Sequence, residues 1–126
     1  MKINHKSLGF TLIELLVAAT IIILLTTIGV VSYHRASINS RNAKRKADLE
    51  TVRQAMIMYR SDQGTYPGGD DFTLMVGNLK AEGYLMQEDT FEDPGSFYYT
   101  YNPTDRYLEA TLEESGATVS HRVSLP

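Results

Sequence analysis

The sequence predicts an α+β fold in which one long N-terminal helix packs on a small antiparallel sheet of about three strands. Three observations point there: an unbroken apolar run from Phe10 to Val31, a helical stripe from Leu49 to Tyr59, and a last third written as alternating runs between turn residues. With 126 residues the chain has room for one domain. Its apolar first quarter leaves about 90 residues to build a soluble core.

The run Phe10 to Val31 holds 22 residues and a single charged side chain, Glu14. At ~1.5 Å per residue it makes about 33 Å of helix, enough to cross a bilayer. Lys2, His5 and Lys6 precede it, and the positive-inside tendency keeps that short end in the cytoplasm, although Arg35, Arg41, Lys44, Arg45 and Lys46 beyond it pull the other way. Val17-Ala18-Ala19 has the small-residue character of a secretory cleavage site, but a cut there would leave the apolar stretch Thr20 to Val31 on the product.

Beyond Val31 the helical pattern continues without proline. Leu49, Val52, Met56 and Tyr59 recur at spacings of three and four, with Ala43, Ala47 and Ala55 beside them. Gly64, followed by Tyr66-Pro67-Gly68-Gly69, stops the helix, giving an expected span from Phe10 to Asp62. Gly29, near Thr26 and Thr27, is the weak point of the apolar half. A second helix is expected between Asp71 and Glu82, capped by Asp70 or Asp71, with Phe72, Met75, Val76 and Leu79 turned inward and Gly83 at its end; Gly77 weakens it. Strands are expected at Phe97 to Tyr101, at Arg106 to Leu112 after the Asn102-Pro103-Thr104-Asp105 turn, and at Thr118 to Leu125 after Ser115-Gly116. In the third, Val119, His121, Val123 and Leu125 share one face.

The net charge of −3 hides a division. Residues 35–60 hold seven Lys and Arg against two acids, whereas residues 61–126 hold three against twelve. This split fits a solvated basic helix face, a nucleic-acid or anionic-lipid contact on the basic part, or opposite charges meeting between copies. The acidic total leaves no surplus of cations for a general DNA-binding protein.

No cysteine is present, which excludes disulfides, thiolate metal sites and cysteine nucleophiles. His5, His34 and His121 are scattered, with no nucleophile or ligand spacing around them, and no phosphate-binding loop appears, so nothing supports an enzyme. The acids Asp70, Asp71, Glu88, Asp89, Glu92 and Asp93 occupy two loops of the oxygen-rich kind that Ca²⁺ favours, without the ligand spacing of an EF-hand; solvated loops and helix caps are the plainer reading. Eight tyrosines, with Arg106 or the basic run Arg41 to Lys46, suggest a binding platform, or simply strand-forming aromatics that fill a sheet.

Glu14 is what a plain anchor leaves unexplained, because a carboxylate inside hydrocarbon costs about 2.5–3.5 kcal/mol or more and needs a partner. An α-amino group created by cutting the chain at the edge of the apolar layer would serve. The stretch Gly9-Phe10-Thr11-Leu12-Ile13-Glu14, continued by Leu15 to Ala18 after a short basic leader, closely resembles the signal of prepilins. The chain is therefore identified as similar to the type IV pilin and type II secretion pseudopilin superfamily.

The resemblance implies a leader of residues 1–9, a transmembrane and assembly half of the helix at 10–31, and an extracytoplasmic head at 32–126. It also implies cleavage between Gly9 and Phe10 by a prepilin peptidase, N-methylation of Phe10, and pairing of Glu14 with the new N-terminus of a neighbouring subunit to set the axial register. Relatives that carry proline where this chain has Val31 loosen their helix ahead of it in filaments. Retention of Glu14 is unlike the tip-initiating minor subunits.

The head resembles the major pseudopilins in Tyr59, Asp62, Gly64, Tyr66-Pro67, Gly83-Tyr84-Leu85 and Asp93-Pro94. Those proteins commonly bind calcium after that Asp-Pro, which makes Asp89, Glu92 and Asp93 the Ca²⁺ candidates here, although this chain ends in Val119 to Pro126 rather than an acidic, Gly-rich stretch. The cysteine-closed C-terminal loop of pathogen type IVa pilins is excluded. Implied partners are further copies in a helical filament, the prepilin peptidase, an inner-membrane assembly platform with its ATPase, minor pilins, and the lipid bilayer before assembly. No nucleic acid is expected, although DNA-uptake pili belong to the same superfamily, as do type II secretion pseudopili and motility or adhesion pili. The implied location is the bacterial inner membrane, single-pass with the N-terminus cytoplasmic and the head periplasmic or extracellular. The alternative is a monomeric single-pass protein whose head binds a ligand or Ca²⁺.

Overall fold

Thr11 precedes the first helix, α1, which runs Leu12–Gln63 and so contains both the apolar run and the amphipathic stripe. In the computed structural model, which describes residues 9–114 and 116–126, the chain divides into two units, Met1–Ala36 and Ser37–Pro126. Lys2, His5 and Lys6 of the expected leader and Ser115 of the expected turn lie outside the described residues.

Within the first unit the described residues form the start of α1. The hydroxyls of Thr20, Thr26 and Thr27 donate to the carbonyls of Val17, Ile22 and Ile23, so these polar groups are satisfied by the helix itself. Gly29 and Val31 lie inside α1 as unbroken helix.

The second unit is built on the other half of α1. That half stops because Gly64 adopts φ +76°, a left-handed conformation that ordinary side chains resist, while its N–H bonds the Arg60 carbonyl. The helix α2, Phe72–Ala81, starts on Asp71, whose carboxylate accepts the Leu74 N–H at 2.8 Å. It ends in a Schellman motif: Gly83 at φ +80° donates to the Lys80 carbonyl and Tyr84 to that of Leu79.

Three antiparallel strands follow: β1 (Thr100–Asn102), β2 (Tyr107–Glu114) and β3 (Ala117–Ser124), in the order β1-β2-β3. The register sets Tyr101 against Leu108, and Leu108 against Val123. Leu49, Val52, Ala55 and Met56 of α1 meet Phe72, Met75, Val76 and Leu79 of α2 and Tyr101, Leu108, Ala110 and Leu125 from the sheet region in one core. Tyr59, Tyr66 and Tyr84 pack at its margin.

Several expectations are corrected. The first strand is three residues long rather than five, since Phe97, Tyr98 and Tyr99 lie outside it. Phe97 N–H donates to Asp93 and the Tyr99 hydroxyl to Asp48, which tie this stretch to a loop and to α1 instead of to a neighbouring strand. Ala43 and Ala47 are exposed, and Arg45, four residues before Leu49 on the same face as the stripe, is fully buried. Val119 is exposed, while Val123 of the same face packs on the core.

Because β1 pairs only with Tyr107 to Glu109, the far end of β2 lacks a strand on that side, and Asn42 of α1 fills the place. Its amide nitrogen donates to the Glu113 carbonyl at 2.6 Å, and its amide oxygen accepts the Glu113 N–H at 2.9 Å.

Gly77 is exposed in mid-helix, and a Cβ built on it would meet nothing within 4 Å. Gly77→Ala should therefore stabilise the folded chain by about 0.5–1 kcal/mol, whereas Leu79→Ala, two residues on and fully buried, should cost roughly 2–5 kcal/mol. Denaturant midpoints of the two variants against the parent check both signs.

Candidate functional site

The residues singled out at the N-terminus come together around the first turn of α1. Thr11 is the cap and Glu14 the third helical residue, and they bond reciprocally. The Thr11 N–H and hydroxyl each donate to Glu14 Oε2 at 2.8 Å, and the Glu14 N–H donates to the Thr11 hydroxyl at 3.3 Å. This is a capping box, and it satisfies two of the donors that a helix start leaves without partners. Thr11 was not recognised as part of the site, though the pattern Thr-x-x-Glu before an apolar run carries the signal. Both carboxylate bonds use the same oxygen, Oε2. Phe10 lies just ahead of the cap with its side chain 81% exposed, next to Gly9.

From Phe10 to Val31, fourteen large apolar side chains are exposed. Each gains roughly 1.5–3 kcal/mol from leaving water, so together they demand lipid or other apolar helices. The length and composition of this half of α1 suffice to cross a membrane.

The remaining candidates separate. Among the calcium candidates, Asp93 turns inward, and both its oxygens lie within hydrogen-bonding distance of the buried Arg45 guanidinium. Asp89 accepts the Met86 N–H, and Glu92 presents its backbone carbonyl to Lys44. Among the described residues, no three His, Cys, Asp or Glu side chains gather as a metal would require. These residues do not fit a calcium site.

The basic half of the charge division is largely met within the chain. Arg41 binds Glu113, Arg45 binds Asp93 and Glu113, Lys44 binds Asp48 and Arg53 binds Glu50, while Arg35 and Lys46 are exposed. The tyrosines likewise serve mainly the fold: Tyr99 and Tyr101 are in the core, three more pack on it, and Tyr107 lies under the Arg122 guanidinium. Tyr33 and Tyr98 are exposed. His34 is exposed and His121 half-buried.

The family described as the prokaryotic N-terminal methylation motif matches residues 4–30. That stretch contains the Gly9-Phe10 junction, the capping box and nearly all of the apolar run. Together with the long helix and three-stranded sheet, the match defines a chain consistent with a pilin or pseudopilin-type protein and with the type IV pilin-like fold. It supports a type IV pilin-like precursor of the kind that a prepilin peptidase processes for assembly into filaments. No curated protein and no solved structure matches the chain.

The ion-pair cluster makes the second unit acid-sensitive. Hydrogen bonds from Arg41, reinforced by Arg45 against the opposing effect of burial, hold the Glu113 carboxyl at about 2, below its ordinary 4.5. Bonding to Arg45 likewise holds Asp93 below its ordinary 3.8. Depressed folded values mean that the unfolded chain takes up protons first, so this stabilisation is complete above about pH 4.5 and is lost as pH falls toward 2. Unfolding midpoints should be flat from neutrality down to about pH 4.5 and fall below it. Glu113→Gln should make that fall shallower.

Proposed function

We propose that the chain is a structural subunit of a type IV pilus-like filament or type II secretion pseudopilus. A prepilin peptidase cuts it between Gly9 and Phe10, Phe10 is N-methylated, and α1 assembles it with further copies. Before assembly it is a single-pass protein of the bacterial inner membrane, with its N-terminus cytoplasmic and its head periplasmic or extracellular. Its partners there are an assembly platform with its ATPase and minor pilins, which supply the energy and the starting point. The role is structural and not catalytic.

The observation that carries this reading is the position of one carboxylate. Glu14 stands at the head of fourteen exposed apolar side chains, at the capped start of the helix and four residues after Phe10. Inside an apolar layer its charge needs a counter-charge. The α-amino group of a cut Phe10 on a neighbouring copy supplies one, since Oε2 alone serves the capping box. A mismatched register would leave two charges unpaired in low dielectric, so Glu14 acts by selecting one register.

Glu14→Ala should leave the denaturant midpoint of the folded head unchanged and lower filament yield by roughly 100-fold, the equivalent of about 3 kcal/mol per added subunit. The assay is the amount of sheared, sedimentable filament from cells that contain the assembly machinery. Parental filament yield from the variant would instead favour a monomeric anchored protein.

A further inference from the structure

Arg45 is the one fully buried charged side chain among the described residues. Four oxygens surround its guanidinium. Nε lies 2.6 Å from Asp93 Oδ2, Nη2 lies 2.9 Å from Asp93 Oδ1 and 2.8 Å from Glu113 Oε1, and Nη1 lies 2.9 Å from Asn42 Oδ1. The Phe97 ring covers it, with the guanidinium carbon 5.2 Å from the ring centroid. Asp93 itself accepts the N–H groups of Gly95 and Phe97, which folds the loop around its carboxylate.

Two carboxylates and an amide oxygen are donors that a hard divalent cation also takes. Such a cation requires six to eight oxygens at about 2.3–2.6 Å around one point. Here the oxygens are spread along a planar fork and occupied by N–H donors, in the bidentate geometry that suits a guanidinium. The loop is closed down on that fork, because a Cβ added at Gly95 would lie 3.0 Å from Arg45 Nη2 and 3.2 Å from Asp93 Oδ1.

We infer that Arg45 is an internal cation that does the work of a divalent metal in this head, tying α1 to the loop Asp93–Phe97 and to β2. The head therefore folds without calcium and gains no stability from it. Its cross-link is part of the chain and cannot be removed by chelation or by calcium-poor surroundings. This disagrees with what the resemblance to the major pseudopilins implied for Asp93, and Arg45 is the physical reason.

The test uses the full chain in detergent, with thermal unfolding followed by the near-ultraviolet signal of its tyrosines, in millimolar calcium chloride and in millimolar EDTA. The parent should show the same Tm in both. Arg45→Met should lower Tm by at least about 10 °C, and Arg45→Lys should fall between, because an ammonium replaces the charge but not the fork. A parent Tm raised by calcium and lowered by EDTA would overturn the inference, as would an Arg45→Met variant as stable as the parent. Should Arg45→Met fail to fold, the comparison of calcium with EDTA on the parent still decides, whether or not the chain assembles.

Discussion

Taking a guanidinium out of water costs several kcal/mol unless its hydrogen-bonding groups are matched, and a buried one with a partner missing destabilises strongly. The head of this protein is organised by that constraint. Arg45 can be buried because Asp93 and Glu113 arrive from a loop and from β2 and Asn42 lies one helical turn away. Each partner is then fixed for a second purpose. Asn42 also closes the open edge of β2, Glu113 also binds Arg41, and Asp93 also shapes its own loop. Below this polar cluster, Leu49, Val52 and Met56 on the same helix meet α2 and the sheet in an ordinary apolar core.

The helix that carries Arg45 is written for two solvents. Its first half keeps the hydroxyls of Thr20, Thr26 and Thr27 bonded to its own backbone and exposes only apolar side chains apart from Glu14 and a few threonines, which suits a bilayer or a bundle of identical helices. Its second half buries one stripe, headed by Arg45 and continued by Leu49, Val52 and Met56, and keeps its other charges off that stripe, which suits a water-soluble head. Glu14 belongs to neither pattern. In the single chain it completes a capping box with Thr11, and on our reading one of its oxygens remains to recognise another copy.

Local signals in the sequence were strong enough to give α1 to within two residues, the cap, inner face and Gly83 stop of α2, and the positions of β2 and β3 in an antiparallel sheet. These rest on periodicity, caps and turn glycines, which act over a few residues. What was missed depends on partners far along the chain. Asp93 is 48 residues from Arg45, so the arginine read as one more solvated cation and the charge division as a surface property. For the same reason Phe97 to Tyr99 read as strand, since their aromatic character is visible locally while the hydrogen bonds that pull them to Asp93 and Asp48 are not. At the N-terminus the Gly9-Phe10 and Glu14 pattern was legible because its residues are neighbours, and the role of Thr11 was legible in principle by the same rule.

The most direct measurement of the central reading is the intact mass and N-terminal sequence of the protein recovered from cells that contain a prepilin peptidase. The account predicts a chain that begins at Phe10 and carries one N-methyl group. A chain that still begins at Met1, or one cut after Ala19, would contradict it.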